Sequence, residues 1–309
     1  MPLYLTEADV EALVSPADAV DAIEASFRRL AAGGVTNRPR YRLPLSEGRL
    51  AVMAASDVDL GYAGAKVYAA FGSGARFAVL LFRSDRPELE AVIEADRLGQ
   101  LRTGAATGVA AKFLAGDGAS TLGVIGCGWQ ARGQIAAVRA AVPSIEREIA
   151  YCRTQSSLDE FCSEVGAEPA ESPSEPAAQD VVVTVTNSRD PVLRGEWLQE
   201  GALVCAVGAN VPQARELDNV VLERAVFVCC DSREQARVES GDLIEPIESG
   251  VLDWLEVHEL QEVVAGEVSG RSSPSDIVVF KSNGIAAWDI ALGAHVFERA
   301  RADGRGRNL

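Results

Sequence analysis

The hexapeptide Gly126-Cys127-Gly128-Trp129-Gln130-Ala131 follows an apolar, strand-like run, STLGVIG (120–126), and opens a helix-like one. Its pattern is G-x-G-x-x-G/A. The first glycine permits a tight turn, the second lets backbone approach a pyrophosphate, and the small last residue packs helix against strand. The helix start adds N–H groups and the positive end of the helix dipole. The chemistry implied is dinucleotide binding, and with it hydride transfer; a bare glycine-rich strand–helix turn is the plainer alternative. The end of the next strand bears on which dinucleotide. An acid there would bind both ribose hydroxyls, but the strand ends Tyr151-Cys152-Arg153-Thr154. Arg153 can pair with a 2′-phosphate and Thr154 can hydrogen-bond to it. NADP(H) is therefore favoured, with NAD(H) the alternative if Arg153 is an ordinary surface arginine.

A second reactive group is Lys66, set in the apolar strand-like run AGAKVYAA (63–70) of a chain with lysine only at 66, 112 and 281. Burial would disfavour its ammonium and bring its pKa towards the range useful for proton transfer. A solvent-facing strand lysine is the competing reading. Other chemistries find little support. Two histidines, His258 and His295, and six cysteines without metal-ligand spacing argue against a zinc site or a Ser-His-Asp triad.

The elements that must hold these groups can be read from hydrophobic periodicity. Residues 16–32 place Val20, Ile23, Phe27 and Leu30 at helical spacing before Gly33-Gly34. Short β-favouring runs at 40–45, 49–55, 63–70, 76–83 and 88–95 predict a sheet-rich N-terminal unit, and an alanine-rich helix follows over about 96–115. From 120 onwards, apolar strands (120–126, 147–152, 180–186, 202–208, 225–230, 276–280) alternate with helices at 129–141 and 156–165. That predicts a parallel sheet covered on both faces. Residues 167–179 read as a surface connection, 284–302 as a last helix, and the Arg/Gly tail as frayed.

With 309 residues and 48% hydrophobic content, two domains are expected. A net charge of −16 argues against nucleic acid as a partner. No apolar run is long enough to span a membrane and no secretory leader pattern opens the chain, so a cytoplasmic location is expected. The acidic, lysine-poor composition suits a salt-rich cytoplasm or reflects genomic base composition.

The chain resembles the ornithine cyclodeaminase/mu-crystallin family, which includes an archaeal type of alanine dehydrogenase and cyclic imino-acid (ketimine) reductases. The likeness is carried by RPRYRLPL (38–45), AKV (65–67), LRTGAATGVAAKFLA (101–115), GVIGCGWQA (123–131), AVGANVPQARELD (206–218), DSREQARVESGD (231–242) and VFKSNGIAAWDIA (279–291). It implies an α/β fold, a doubly wound Rossmann sheet (117–283) inserted in an α+β domain for substrate binding and dimerisation (1–116 plus 284–309). It also implies a homodimer formed through the sheet-rich domain.

The resemblance further implies a carboxylate clamp of Arg40, Lys66 and Arg102, with Lys66 also the proton donor. Bidentate arginine suits the carboxylate of an amino or imino acid. Arg38 and Arg42 flank Arg40, and strand alternation would point all three the same way. Nucleotide contacts are expected from the 126–131 loop, Thr103, Arg153, Thr154, Thr186, and Val207, Gly208 and Ala209 beside the nicotinamide. Lys281, Ser282, Asn283 and Gly284 are expected to close the site, no metal is expected, and Asp289 could cap or orient a helix. Two positions depart from the cyclodeaminases: Asn210 and Ala51 stand where those enzymes carry acids. Without these acids, conversion of L-ornithine to L-proline and ammonia lacks groups to recognise and deprotonate the second amine. A simple reductase or dehydrogenase on a small amino or imino acid keeps all it needs. A mu-crystallin-type ligand-binding protein is the remaining alternative. Residues 68–90 are short and irregular against the family pattern, which implies an unusual side-chain pocket.

Overall fold

The computed structural model describes residues 1–309, which form two compact units: Met1–Thr103 with Ile285–Leu309, and Gly104–Gly284. In chain order the first unit contributes β1 (Leu3–Leu5), α1 (Glu7–Leu13), α2 (Pro16–Ala31), β2 (Val35–Asn37), β3 (Tyr41–Pro44), β4 (Gly48–Asp57), β5 (Tyr62–Phe71), β6 (Gly74–Arg83) and β7 (Leu89–Glu94). Helix α3 (Asp96–Leu114) then runs without interruption from one unit into the other. The division thus falls inside the alanine-rich helix, not at its end near 116. The second half of α3 packs within the second unit. A Cβ on Gly104 would lie 2.1 Å from the carbonyl oxygen of Gly133, so the small residue serves helix–helix approach.

The first unit's sheet runs β16-β1-β7-β6-β5-β4-β2, with β3 also paired to β4; β16 (Arg307–Asn308) is the last strand of the chain. Capping boxes start both early helices, Thr6 with Asp9 and Ser15 with Asp18. Strand alternation puts Ala51, Met53 and Ala55 of β4, Tyr62, Lys66 and Tyr68 of β5, and Val79 and Leu81 of β6 on the buried face. Helix α11 (Ala286–Asp303) packs on β4, β5 and β6; its first half, 286–294, is buried on every side and apolar but for Asp289, while Glu298, Arg299 and the residues from 301 on are exposed. At Gly293 a Cβ would meet Ile93 at 3.5 Å and Val79 at 3.6 Å, ordinary van der Waals contacts, so this packing would also accept an alanine. Phe27 of α2 meets Trp288 edge-on at 5.4 Å between ring centroids.

Strands β5 and β6 form an antiparallel hairpin with Phe71 opposite Gly74 across a two-residue turn, and the pairing of β6 with β7 shifts register between Leu81 and Phe82. Two local expectations are corrected here. The C-terminal tail is paired, not frayed. Gly304 and Gly306, both at positive φ, turn the chain back, and Arg307 stacks over Tyr4 at 4.3 Å. The stretch 167–179 is more than a surface connection. It holds β10 (Glu168–Pro169), which pairs with β9 (Arg147–Tyr151), and α6 (Ser174–Ala177), whose Ala177 is fully buried. Gly123 makes this docking feasible, because a side chain there would collide with the Pro176 carbonyl.

The second unit is an all-parallel sheet of order β10-β9-β8-β11-β12-β15-β13-β14. Its central strands are β8 (Thr121–Ile125), β11 (Val181–Thr184), β12 (Leu203–Ala206) and β15 (Ile277–Lys281), flanked by β13 (Ala225–Cys230) and β14 (Val257–Glu259). Helices α4 (Trp129–Ala141), α5 (Gln155–Val165), α7 (Asn219–Arg224), α8 (Arg233–Glu239), α9 (Gly241–Glu248) and α10 (Leu260–Val264) complete it. The chain moves outward from β8 to β10, then returns to β11 on the other side of β8. That reversal leaves a crevice outside the carboxyl ends of β8 and β11, where doubly wound folds bind ligands.

Candidate active site

In the first unit the structure gathers Lys66, Arg102 and Asp289 into one buried cluster. Lys66 Nζ donates to Asp289 Oδ1 at 3.0 Å, and Arg102 Nε donates to the same oxygen at 3.1 Å. Lys66 is 3% exposed, Arg102 7% and Asp289 0%. Lys66 projects from the middle of β5, between Met53 and Val79 of its neighbours, while Asp289 lies one turn before Gly293 on α11. Arg102 comes from the second turn of α3 and reaches to 5.9 Å from the Trp288 ring; the Lys66 ammonium lies 5.1 Å from Phe77. A Cβ on Gly99 would approach Lys66 Nζ to 3.1 Å, so α3 is small where the lysine needs room.

Two cations sharing one carboxylate oxygen leave the trio with a surplus positive charge, and such a surplus out of water calls for an anion. Burial brings the Lys66 pKa down from its ordinary 10.5 to about 8. Asp289 opposes that fall, while Arg102 and Arg40 add to it. A lysine in that range exchanges protons near neutral pH. Asp289 is thus the shared anion of two cations, not a helix cap. Its signal in the sequence is an acid inside the apolar run AAWDIALGA (286–294), where a buried carboxylate must meet a cation.

The structure also separates the three neighbouring arginines. Arg40 is 7% exposed, whereas Arg38 is exposed and Arg42 half-buried. The expectation that all three share a face fails because β3 begins only at Tyr41, so residues 38–40 do not alternate as a strand.

In the second unit the glycine loop has the shape a dinucleotide requires. Gly126 has φ +118°, and a Cβ there would sit 2.5 Å from the Val185 carbonyl oxygen. Gly128 is the N-cap of α4, has open space where a Cβ would be, and offers no side chain to occupy the first N–H groups. Ala131 is fully buried, as helix–strand packing demands. Gln130 is half-buried and Trp129 is 53% exposed beside the loop. Arg153 and Thr154 are exposed beyond β9, and Thr154 N-caps α5 without using its hydroxyl.

The remaining expected contacts divide. Val207, Gly208 and Ala209 follow β12, and Thr186 follows β11, at the carboxyl edge of the sheet. The Thr103 hydroxyl donates to the Gly99 carbonyl at 2.6 Å, within its own helix. Lys281 is wholly buried, with Nζ 3.0 Å from Asp242 and donating to the Ala209 carbonyl at 2.7 Å, so its side chain holds the 207–209 loop instead of reaching outwards. Ser282, Asn283 and Gly284 are likewise held from within: the Ser282 hydroxyl and the N–H groups of Asn283 and Gly284 all donate to Asp231 Oδ2. Sequence reasoning missed Asp231, Asp242 and Glu216, because Glu216 meets Asp242 across 26 positions and Asp231 meets Gly284 across 53, with no local spacing to connect them. No group of three or more His, Cys, Asp or Glu side chains is placed to hold a metal ion.

Residues 2–304 match the model of the ornithine cyclodeaminase/mu-crystallin family. The chain belongs to that family. It is similar to an alanine dehydrogenase from Archaeoglobus fulgidus, with 37% identity over 99% of this chain and 98% of that protein. Among solved structures it is similar to the Thermococcus litoralis Δ1-pyrroline-2-carboxylate reductase in complex with NADH and L-proline (30% identity, TM-score 0.93, 99% of this chain and 100% of that one). It is also similar to an archaeal alanine dehydrogenase dimer with bound NAD (33% identity, TM-score 0.93, 100% of this chain and 98% of that one).

Proposed function

We propose that the chain is an NAD(P)-dependent oxidoreductase that transfers hydride at the α-carbon of a small amino or imino acid, as an imino-acid (ketimine) reductase or an alanine dehydrogenase. The observation that carries this reading is the buried Lys66–Asp289–Arg102 trio. Arg102, with Arg40, takes the substrate carboxylate, whose charge answers the surplus of the trio. Lys66 gives a proton to the substrate nitrogen in the reductive direction and takes it back in the oxidative one. The loop from Gly126 to Ala131 takes the pyrophosphate, with Thr154, Thr186 and Val207–Ala209 along the same sheet edge; the nicotinamide supplies the hydride when bound. Ornithine cyclodeamination is set aside because Asn210 and the fully buried Ala51 leave no acid at the two positions where that reaction uses one.

The direct test follows nicotinamide absorbance with pyrroline-2-carboxylate, piperideine-2-carboxylate, or pyruvate plus ammonia. Oxidation of NADPH or NADH with one of these is expected. Silence with all three, at low and high salt, would overturn the reading. Arg102→Ala is expected to raise the substrate KM about ten- to hundredfold, from loss of charge-assisted hydrogen bonds worth about 1.5–3 kcal/mol. Dinucleotide affinity should stay intact, and an unchanged substrate KM would remove Arg102 from the clamp.

We assign preference for NADP(H) to Arg153 and Thr154, since β9 ends without an acid. Arg153→Ala should weaken NADPH binding about tenfold or more and leave NADH binding nearly unchanged. Equal weakening of both would defeat the assignment. A homodimer is proposed through the sheet face turned away from α11, where Leu50, Val52, Val67, Leu80 and the 39%-exposed Phe82 stand only partly buried in one chain. No helix is long and apolar enough to cross a membrane. The six cysteines are free, four of them buried, which suits the reducing conditions of a cytoplasm.

A further inference from the structure

Glu216 is a fully buried carboxylate that bonds to the backbone at two loops of the second unit. Its Oε1 accepts from the Thr186 N–H at 2.6 Å and the Thr186 hydroxyl at 2.9 Å. Its Oε2 accepts from the Gly208 N–H at 2.6 Å and the Ala209 N–H at 3.2 Å. One side chain therefore joins the loop leaving β11 to the loop leaving β12. The Ala209 peptide region is held from its other end as well, because Lys281 takes the Ala209 carbonyl. Asp242 links the two anchors: its Oδ1 accepts from the N–H groups of Glu216 and Leu217 at 2.7 and 3.0 Å, and its Oδ2 lies 3.0 Å from Lys281 Nζ. Gly208 fits this arrangement only without a side chain, since a Cβ would fall 2.2 Å from the Thr186 carbonyl oxygen and 2.6 Å from Glu216 Oε1.

Burying two acids and a lysine is a poor way to stabilise a sheet, because desolvation of each charge offsets much of the mutual attraction. Apolar residues would hold β11, β12 and β15 together as well. What charged groups add is direction: a carboxylate with four donors fixes the orientation of particular peptide groups. The groups it fixes are at Thr186, Gly208 and Ala209, on the carboxyl edge of the sheet beside the glycine loop.

We propose that Glu216 is a positioning residue for the nicotinamide end of the dinucleotide, acting through the 207–209 and 186 backbones without touching the cofactor itself. The proposal rests on the reading of Val207–Ala209 as the nicotinamide seat. The adenosine end has a separate support in the 126–131 loop and the end of β9, so the two ends respond differently to loss of Glu216.

Glu216→Gln tests this. The variant keeps the shape but must turn an NH2 group towards one pair of donors, breaking the hydrogen bonds on that side. In the ligand-free protein, amide exchange at Thr186, Gly208 and Ala209 should speed up at least tenfold. ADP-ribose, which lacks the nicotinamide, should bind within twofold of wild type, while the complete reduced dinucleotide should bind about tenfold more weakly. Equal loss of both ligands would make Glu216 a general structural residue, and equal retention of both would make it dispensable; either overturns the proposal. If Glu216→Gln does not fold, Glu216→Asp, which keeps the charge but cannot reach both loops, should show the same selective loss. No substrate enters these measurements, so their outcome is independent of whether the imino-acid reading holds.

Discussion

Replacement of Lys66 by methionine should lower kcat for imine reduction by about 10²- to 10⁴-fold, the usual contribution of a positioned general acid. Methionine matches the lysine stem in length and apolar character but has no proton to give. Collapse of the fold is not the expected cause. Removing one partner of a buried pair is costly when it leaves a charge unpaired, but here Asp289 keeps its bond to Arg102, and the desolvation of the Lys66 ammonium is relieved. The pH dependence of stability separates the two explanations. Because burial brings the Lys66 pKa down to about 8, the unfolded chain holds that proton more tightly than the folded one. The wild type therefore loses stability as pH falls from the ordinary lysine range through about 8. Lys66→Met should lose that slope and melt no lower than wild type at pH 7. Turnover within twofold of wild type would show that another group protonates the substrate nitrogen.

What could be read from the sequence follows a physical division. The parallel sheet was legible because its strands are buried on both faces and therefore apolar without alternation, as in Val181–Thr184 and Leu203–Ala206. The glycine loop was legible because all its requirements lie within six consecutive residues. Lys66 stood out as a charge in an apolar strand. Partnerships across long separations were not legible: Lys66 meets Asp289 across 223 residues, and Asp231 meets Gly284 across 53. Nor could spacing choose Arg40 among its neighbours, since that choice depends on where β3 begins. Lys281 was expected to close the site only on the strength of the family resemblance. Its partner Asp242 lies 39 positions earlier on α9, and nothing local announces it.

Asp289→Asn should move the pH profile without removing either cation. Asparagine keeps the shape and an acceptor oxygen for Lys66 and Arg102 but carries no charge. In the wild type Asp289 raises the Lys66 pKa against the larger lowering by burial, so its neutralisation must lower that pKa further below about 8. Reduction requires the ammonium form, hence the alkaline fall in reductive kcat should begin at a lower pH than in wild type. Amino-acid oxidation requires the free amine, so its rise with pH should shift in the same acid direction. A group that merely shaped the pocket would lower both rates and leave both midpoints in place. The charge change also leaves two buried cations without their anion, a loss of about 3–5 kcal/mol in comparable pairs. The ligand-free variant should therefore melt well below wild type. Substrate carboxylate should recover part of that loss, since it now supplies the only negative charge available to Lys66 and Arg102 within the trio. Melting curves with and without a non-reacting carboxylic acid, beside the two pH profiles, separate the outcomes. An unmoved midpoint with a lowered melting temperature would make Asp289 a structural partner only; a moved midpoint with ligand-dependent recovery would place it in control of the protonation of Lys66.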